Sequence, residues 1–162
     1  MNYNKLLTEW RSFLKENVGT RTKENYLEGY CHVFALALEE LRPELNIGYI
    51  IGQLDDINSE EEGDYIDIVV HVFCMDDNEM VYDANGINTL SHLENSDFMQ
   101  TFGDTEINFV EEGEEARQVL QDFSGMDEQD SYNRDMLKPF TQQDIDEAKA
   151  YIQKNHPDML TA

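Results

Sequence analysis

The chain has 162 residues, 40% of them hydrophobic, and a formal charge of −24 from 11 Lys and Arg against 35 Asp and Glu. That is the length of one domain with enough apolar material for a core, which argues against disorder despite the charge. The charge also excludes direct nucleic-acid binding, which needs a cationic footprint, and disfavours anionic membranes. No apolar run approaches the roughly 20 residues of a membrane span. The first ten residues lack a basic region followed by an apolar run, as a signal peptide would have. Cys31 and Cys74 are too few for a disulfide framework. A cytoplasmic protein with reduced thiols is expected.

Leu6, Leu7, Trp10, Phe13 and Leu14 recur at helical spacing, which predicts an amphipathic helix over 3–17, ended by Gly19 and the polar run Thr20–Asn25. A second helix should begin near Gly29 or Tyr30 and stop before Pro43. Its centre, Val33-Phe34-Ala35-Leu36-Ala37-Leu38, is apolar all round, the pattern of a helix covered on most sides. Residues 46–54 read as a strand, followed by an acidic loop through Asp64. Tyr65–Met75 and Glu79–Ala84 read as two strands of a hairpin, with Asp76-Asp77-Asn78 as its turn. Asn85-Gly86 closes the second strand, Thr89–Met99 reads as a weaker helix, and Glu106–Val110 as a strand. Ala116, Val119, Leu120 and Phe123 keep helical spacing up to a stop at Gly125, and residues 124–140 read as a loop. Thr141 with Asp144 marks a capped helix start, with Ile145, Ala148 and Ile152 as its apolar stripe before Pro157. The order of elements predicts a single α+β domain, 1–162, with a central helix bearing a cysteine at its N-terminus on an antiparallel sheet.

Charge is segregated along the chain. Residues 43–116 carry twenty acidic side chains and no Lys or Arg, whereas residues 1–42 balance to zero. Such a segment is a solubilising surface in its plainest reading. It also suits steering of a cationic protein or peptide substrate.

Cys31 is the residue richest in chemical implication. It lies just inside a helix start, where free N–H groups and the helix dipole favour a thiolate. A nucleophilic thiol needs an imidazole and a third group to orient it. His71 falls mid-strand in the hairpin and Asp83 on its partner. If the turn is Asp76-Asp77-Asn78, with Asn78 left-handed, His71 faces Asp83 directly, with Cβ atoms about 5 Å apart. A two-residue turn would put the two on opposite faces. His32 points about 100° away from Cys31 around the helix, which makes it a poor base for that thiol and a packing or pocket-mouth residue. His71 and Cys74 face opposite sides of a strand, and no closely spaced cysteine pair, EF-hand pattern or Gly-rich phosphate loop occurs. No metal or other cofactor is therefore expected.

Gly-Tyr-Cys31-His32-Val-Phe-Ala-Leu-Ala-Leu, then His71-Val-Phe, then Val-Tyr-Asp83-Ala-Asn-Gly, resembles the papain-like/transglutaminase-like cysteine-enzyme superfamily over residues 25–87. The resemblance implies Cys31 as nucleophile, His71 as general base and acid, and Asp83 as the orienting carboxylate. It implies a catalytic-like core over about 25–112, with a helical part over 113–162. Papain relatives often carry a Gln six residues before the nucleophile as an oxyanion donor; that offset here is Asn25, and Tyr30 joins His32 as a candidate pocket residue. Peptidase, deamidase and acyl transferase all fit this pattern. The alternative is a non-enzymatic acidic decoy that mimics nucleic acid and blocks a basic surface of a partner protein. Steering by the acidic segment predicts that kcat/KM for a basic peptide falls as salt rises from 20 to 500 mM. A flat salt profile would leave the acidity with no part in substrate encounter.

Overall fold

The computed structural model describes residues 21–55, 60–61, 63, 65–102, 104–124 and 137–161. The expected helix over 3–17, the stop at Gly125, and most of both the acidic loop before Tyr65 and the loop over 124–140 lie outside the described residues. The polar run before the Cys31 helix does not simply end a helix. Lys23–Leu27 forms a short helix of its own, α1, because Thr22 and Asn25 make a capping box at its start. The Thr22 backbone N–H donates to Asn25 Oδ1 at 2.9 Å.

The second helix, α2, runs Cys31–Leu41 and buries every residue from Cys31 to Leu38. The described residues then form a five-stranded antiparallel sheet from β1 (Asn46–Asp55), β2 (Tyr65–Met75), β3 (Met80–Asp83), β4 (Gly86–Thr89) and β5 (Glu106–Phe109), in the order β4-β3-β2-β1-β5. Between β4 and β5 come α3 (Leu90–Glu94) and α4 (Asp97–Gln100); after β5 come α5 (Ala116–Ser124), α6 (Gln142–Asn155) and a 3-10 turn at Pro157–Leu160. Thr141 caps α6 in the expected capping box with Asp144. None of these helices is long and apolar enough to cross a membrane.

The sheet has an apolar core on each face. On one side Val69, Val72, Cys74 and Tyr82 pack with α2, with Leu120 of α5 and with the Ile145, Ala148 and Ile152 stripe of α6. On the other, Ile50, Ile68, Val70, Phe73 and Val81 pack with Leu93 and Met99. Coverage on both faces explains why β2 reads as a nearly continuous apolar run (Ile-Val-Val-His-Val-Phe-Cys) rather than a clean alternation.

The hairpin differs from its expected register by two residues. Met75 pairs with Val81 and Cys74 with Tyr82. The turn is Asp77-Asn78-Glu79, closed by the Asp76 N–H on the Met80 carbonyl at 3.1 Å, and Glu79 rather than Asn78 is left-handed, at φ 59°. Asp76 is the cause, since its Oδ1 accepts from the N–H groups of Asn78 and Met80 and so holds the turn one residue later. Moving a three-residue turn by one residue changes the pairing by two and leaves the faces unchanged. His71 and Asp83 therefore share a face as diagonal rather than direct neighbours.

Gly86–Thr89 adds a strand that the sequence reading did not include, and the stretch expected as one helix over Thr89–Met99 is two short ones. The Ala84-Asn85 turn needs Gly86 at φ 110°, and it is short enough to fold β4 straight back onto β3.

Gly48 of β1 is a packing requirement. A Cβ there would lie 2.6 Å from Cζ of Phe73 and 2.9 Å from Cε1 of Phe109. Phe73 is fully buried and stacks on His71 with ring centroids 6.2 Å apart. Gly48→Ala should destabilise the fold by about 1–3 kcal/mol, read as a lower midpoint in urea; an unchanged midpoint would mean that the Phe73 ring has room to retreat.

Candidate active site

Cys31 is the first residue of α2. Tyr30 caps the helix, and its carbonyl accepts from the N–H groups of Val33 and Phe34, each at 3.1 Å. The N–H groups of Cys31 and His32 precede that first bond and stand outside the helical ladder, directed toward the space before the helix. Gly29 makes the approach at φ 89°, a conformation that glycine adopts without strain. A strap from the far end of the chain fastens this junction. Leu137 bridges Gly29 in parallel, and the Lys138 N–H donates to the Gly29 carbonyl at 2.8 Å.

His71 sits at a fault in the sheet. Ile50 pairs with His71 but Ile51 with Val69, so Val70 is an extra residue on β2. Val69 and Val72 accordingly serve the helix-side core while Val70 and Phe73 serve the other, and His71 lies where alternation breaks. Bulges of this kind re-aim side chains beside functional sites. Here the imidazole reaches both α2 and β3. Its Nε2–H donates to Asp83 Oδ2 at 3.0 Å, which leaves Nδ1 for the hydrogen bond with Cys31. Asp83 has a second duty, since its Oδ1 accepts the Asn85 N–H at 2.8 Å and so shapes the β3–β4 turn. Cys31, His71 and Asp83 are only 3%, 4% and 6% exposed.

The electrostatics of the three are mutually reinforcing. Burial opposes a charge on His71, but the hydrogen bonds to Asp83 and Cys31 outweigh it and lift its pKa to about 10. Burial likewise opposes a thiolate at Cys31, yet hydrogen bonding and charge from His32 and His71 bring its pKa down to about 6. Between those values the stable form is a thiolate beside an imidazolium. Cys74 is the internal control. It too is buried, but it lies near the end of β2 with its thiol on the Ala35 carbonyl at 3.2 Å, and burial drives its pKa well above the ordinary range.

The other site candidates are placed differently. Asn25 is exposed and its carboxamide oxygen accepts from Thr22 at the head of α1, which ties it to a helix cap and lends no support to an oxyanion role. Tyr30 is half-buried beneath the Arg21 guanidinium, 4.1 Å above its ring. His32 is not at a pocket mouth; it is fully buried, with Nε2 2.7 Å from the Lys138 carbonyl. What the sequence did not reveal was that Lys138, over 100 residues away, would meet it. A cavity of about 220 Å³ opens beside His71 and Asp83, walled by Leu27, Val81 and Leu93 with Asn85 and Asn88 among its polar groups. No cluster of three or more metal-ligating side chains occurs among the described residues. Comparison with protein-family models, curated proteins and solved structures finds no match to this chain.

The charge states determine how Cys31 reacts with pH. Its proton leaves near 6, so thiolate and labelling by iodoacetamide should rise through pH 6 and stay nearly level to pH 9, while Cys74 remains unlabelled in the folded protein. A single rise centred near 8.5, the ordinary thiol value, would show that the pairing does not activate the sulfur.

Proposed function

We propose that the protein is a thiol-dependent acyl-transfer enzyme that opens an amide bond through Cys31, His71 and Asp83, on a protein or peptide substrate that presents Lys or Arg. The observation that carries this reading is the convergence of a helix N-terminal thiol, an imidazole at a sheet bulge and a buried carboxylate into one hydrogen-bonded line. Each of the three has another use for its residue type, but a packing role alone requires no such alignment. The superfamily that the chain resembles uses the same three residue types in the same chain order.

The chemistry follows from the geometry. The Cys31 sulfur attacks the carbonyl carbon, a C–S bond forms, and the carbonyl electron pair moves onto oxygen. The free N–H groups of Cys31 and His32 at the start of α2 are the donors available to that oxyanion. Collapse breaks the C–N bond, and His71 gives its proton to the departing amine, leaving a thioester on Cys31. Water or a second amine then loses a proton to His71 as it attacks the thioester, and the thiolate returns. Asp83 holds the ring and its charge in place through its bond to Nε2. The cavity beside His71 and Asp83 gives the leaving or incoming group a place next to the imidazole.

A second reading has its own observation. Asp104, Glu106, Glu111, Glu112, Glu114 and Glu115 are all exposed and form one run around β5. A surface of that kind also suits a decoy for the basic face of another protein. The two readings separate by mutation. Cys31→Ala should abolish cleavage of basic peptides, a loss of about 10⁴-fold or more, with the circular dichroism unchanged. Activity retained in that variant, or function lost instead when Glu111, Glu112, Glu114 and Glu115 become Gln, would favour the decoy.

A further inference from the structure

The cavity of about 220 Å³ beside His71 and Asp83 has walls that narrow what it can hold. A void of about 150 Å³ admits a six-membered carbon ring, whereas sites for drug-sized ligands begin near about 300 Å³. This one has room for a single side chain. Cys31 does not line it, so the cavity receives a part of the substrate beyond the carbonyl that the sulfur attacks.

The role of His71 decides which part. The imidazole gives its proton to the departing nitrogen, which must lie within about 3 Å of the ring as the C–N bond breaks. The residue that owns this nitrogen has its Cα one bond further on. Its side chain therefore starts next to His71, where the cavity offers it space.

The walls select among side chains. Leu27 of α1, Val81 of β3 and Leu93 of α3 give an apolar lining that suits an aliphatic stem. Glu28 also lines the cavity and is exposed to solvent, as a residue at its mouth would be. Its backbone N–H is held on the Glu24 carbonyl at 2.8 Å, three residues ahead of Cys31. Among the described residues no cation pairs with its carboxylate. Asn85 and Asn88 add carboxamide oxygens, which accept from an ammonium or a guanidinium. No Lys or Arg lines the cavity, and its imidazoles are His71, already bonded to Asp83, and the exposed His92. An acidic side chain would meet two carboxylates here. A long cationic one is matched along its length, because Lys and Arg carry a charged head on an apolar stem.

We propose that this cavity is the specificity pocket for a Lys or Arg on the leaving-amine side of the scissile bond, with its stem against Leu27, Val81 and Leu93 and its cation at Glu28. The inference rests on the acyl-transfer reading and deepens it, since it places the basic residue of the substrate and names the carboxylate that selects it. The acidic segment over 43–116 steers from a distance; Glu28 lies outside that segment and recognises on contact.

The test uses acetyl-Ala-Gly-Lys-Ala-amide and a twin with norleucine in place of lysine. Both are titrated into ¹⁵N-labelled Cys31→Ala protein, which cannot turn them over, at about 150 mM salt, where the long-range field is screened within about 8 Å. The lysine peptide should bind about fivefold more tightly than its twin, as an ion pair at a solvent-open site allows. It should shift the carboxamide signals of Asn85 and Asn88, and its advantage should vanish when Glu28→Gln is added. Glu28→Lys should reverse the order. Glu28 is exposed, so neither substitution threatens folding. Equal affinities, an advantage that survives Glu28→Gln, or binding that leaves Asn85 and Asn88 unmoved overturns the pocket. So does the failure of both peptides to bind at millimolar concentration. The pH profile of Cys31 alkylation in wild type keeps the two possible failures apart. An activated Cys31 with no lysine advantage overturns the pocket and leaves the acyl-transfer reading standing. A lysine advantage beside an ordinary thiol titration overturns that reading, and the leaving-amine assignment falls with it.

Discussion

The bond between His71 Nε2 and Asp83 Oδ2, 3.0 Å long and almost closed to solvent, is the constraint on which the rest of the site depends. Taking a carboxylate and an imidazolium out of water costs several kcal/mol for each ion, and their attraction offsets this only when the remaining polar atoms are also satisfied. Asp83 meets that condition by accepting the Asn85 N–H on its other oxygen. The same residue thus shapes a turn and holds a charge. The turn fixes where the carboxylate points, and the carboxylate decides that His71 keeps its proton.

The two cysteines show that position rather than burial sets the direction in which a thiol's pKa moves. Both are buried. Cys74 lies near the end of β2 among apolar side chains with its thiol on the Ala35 carbonyl, and burial outweighs what little favours an anion there. Cys31 lies at the head of a helix, where hydrogen bonding and charge from His32 and His71 outweigh the penalty of burial. A helix buried on nearly all sides holds that head still. The strap at Leu137 and Lys138 closes it from the far end of the chain.

The acidic surface and the site act over different distances. Twenty carboxylates and no Lys or Arg between residues 43 and 116 set up a negative field that favours imidazolium and opposes thiolate. Salt screens such a field within about 8–10 Å. The His71 imidazole, hydrogen-bonded to the sulfur, acts well inside that distance and in a desolvated setting, so the local pair prevails. The field retains its effect outside, where it favours the approach of cationic molecules.

Much of this was legible in the residues themselves. The spacing of apolar side chains and the stops at Pro43 and Pro157 marked α2 and α6, and apolar runs rich in β-branched residues marked β1 and β2. Cys31 at a helix start, and His71 and Asp83 on one face of a hairpin, followed from the same local rules. Those rules govern neighbours in the chain, and faces survive a turn that moves by one residue. Tertiary structure decided what neighbours do not control. The carboxylate of Asp76 set which residues form the turn, a sheet bulge at Val70 broke the alternation of β2 just before His71, and a segment over 100 residues away fastened His32 by its Nε2. These choices arise from hydrogen bonds and packing between remote segments, which no periodicity in the sequence encodes.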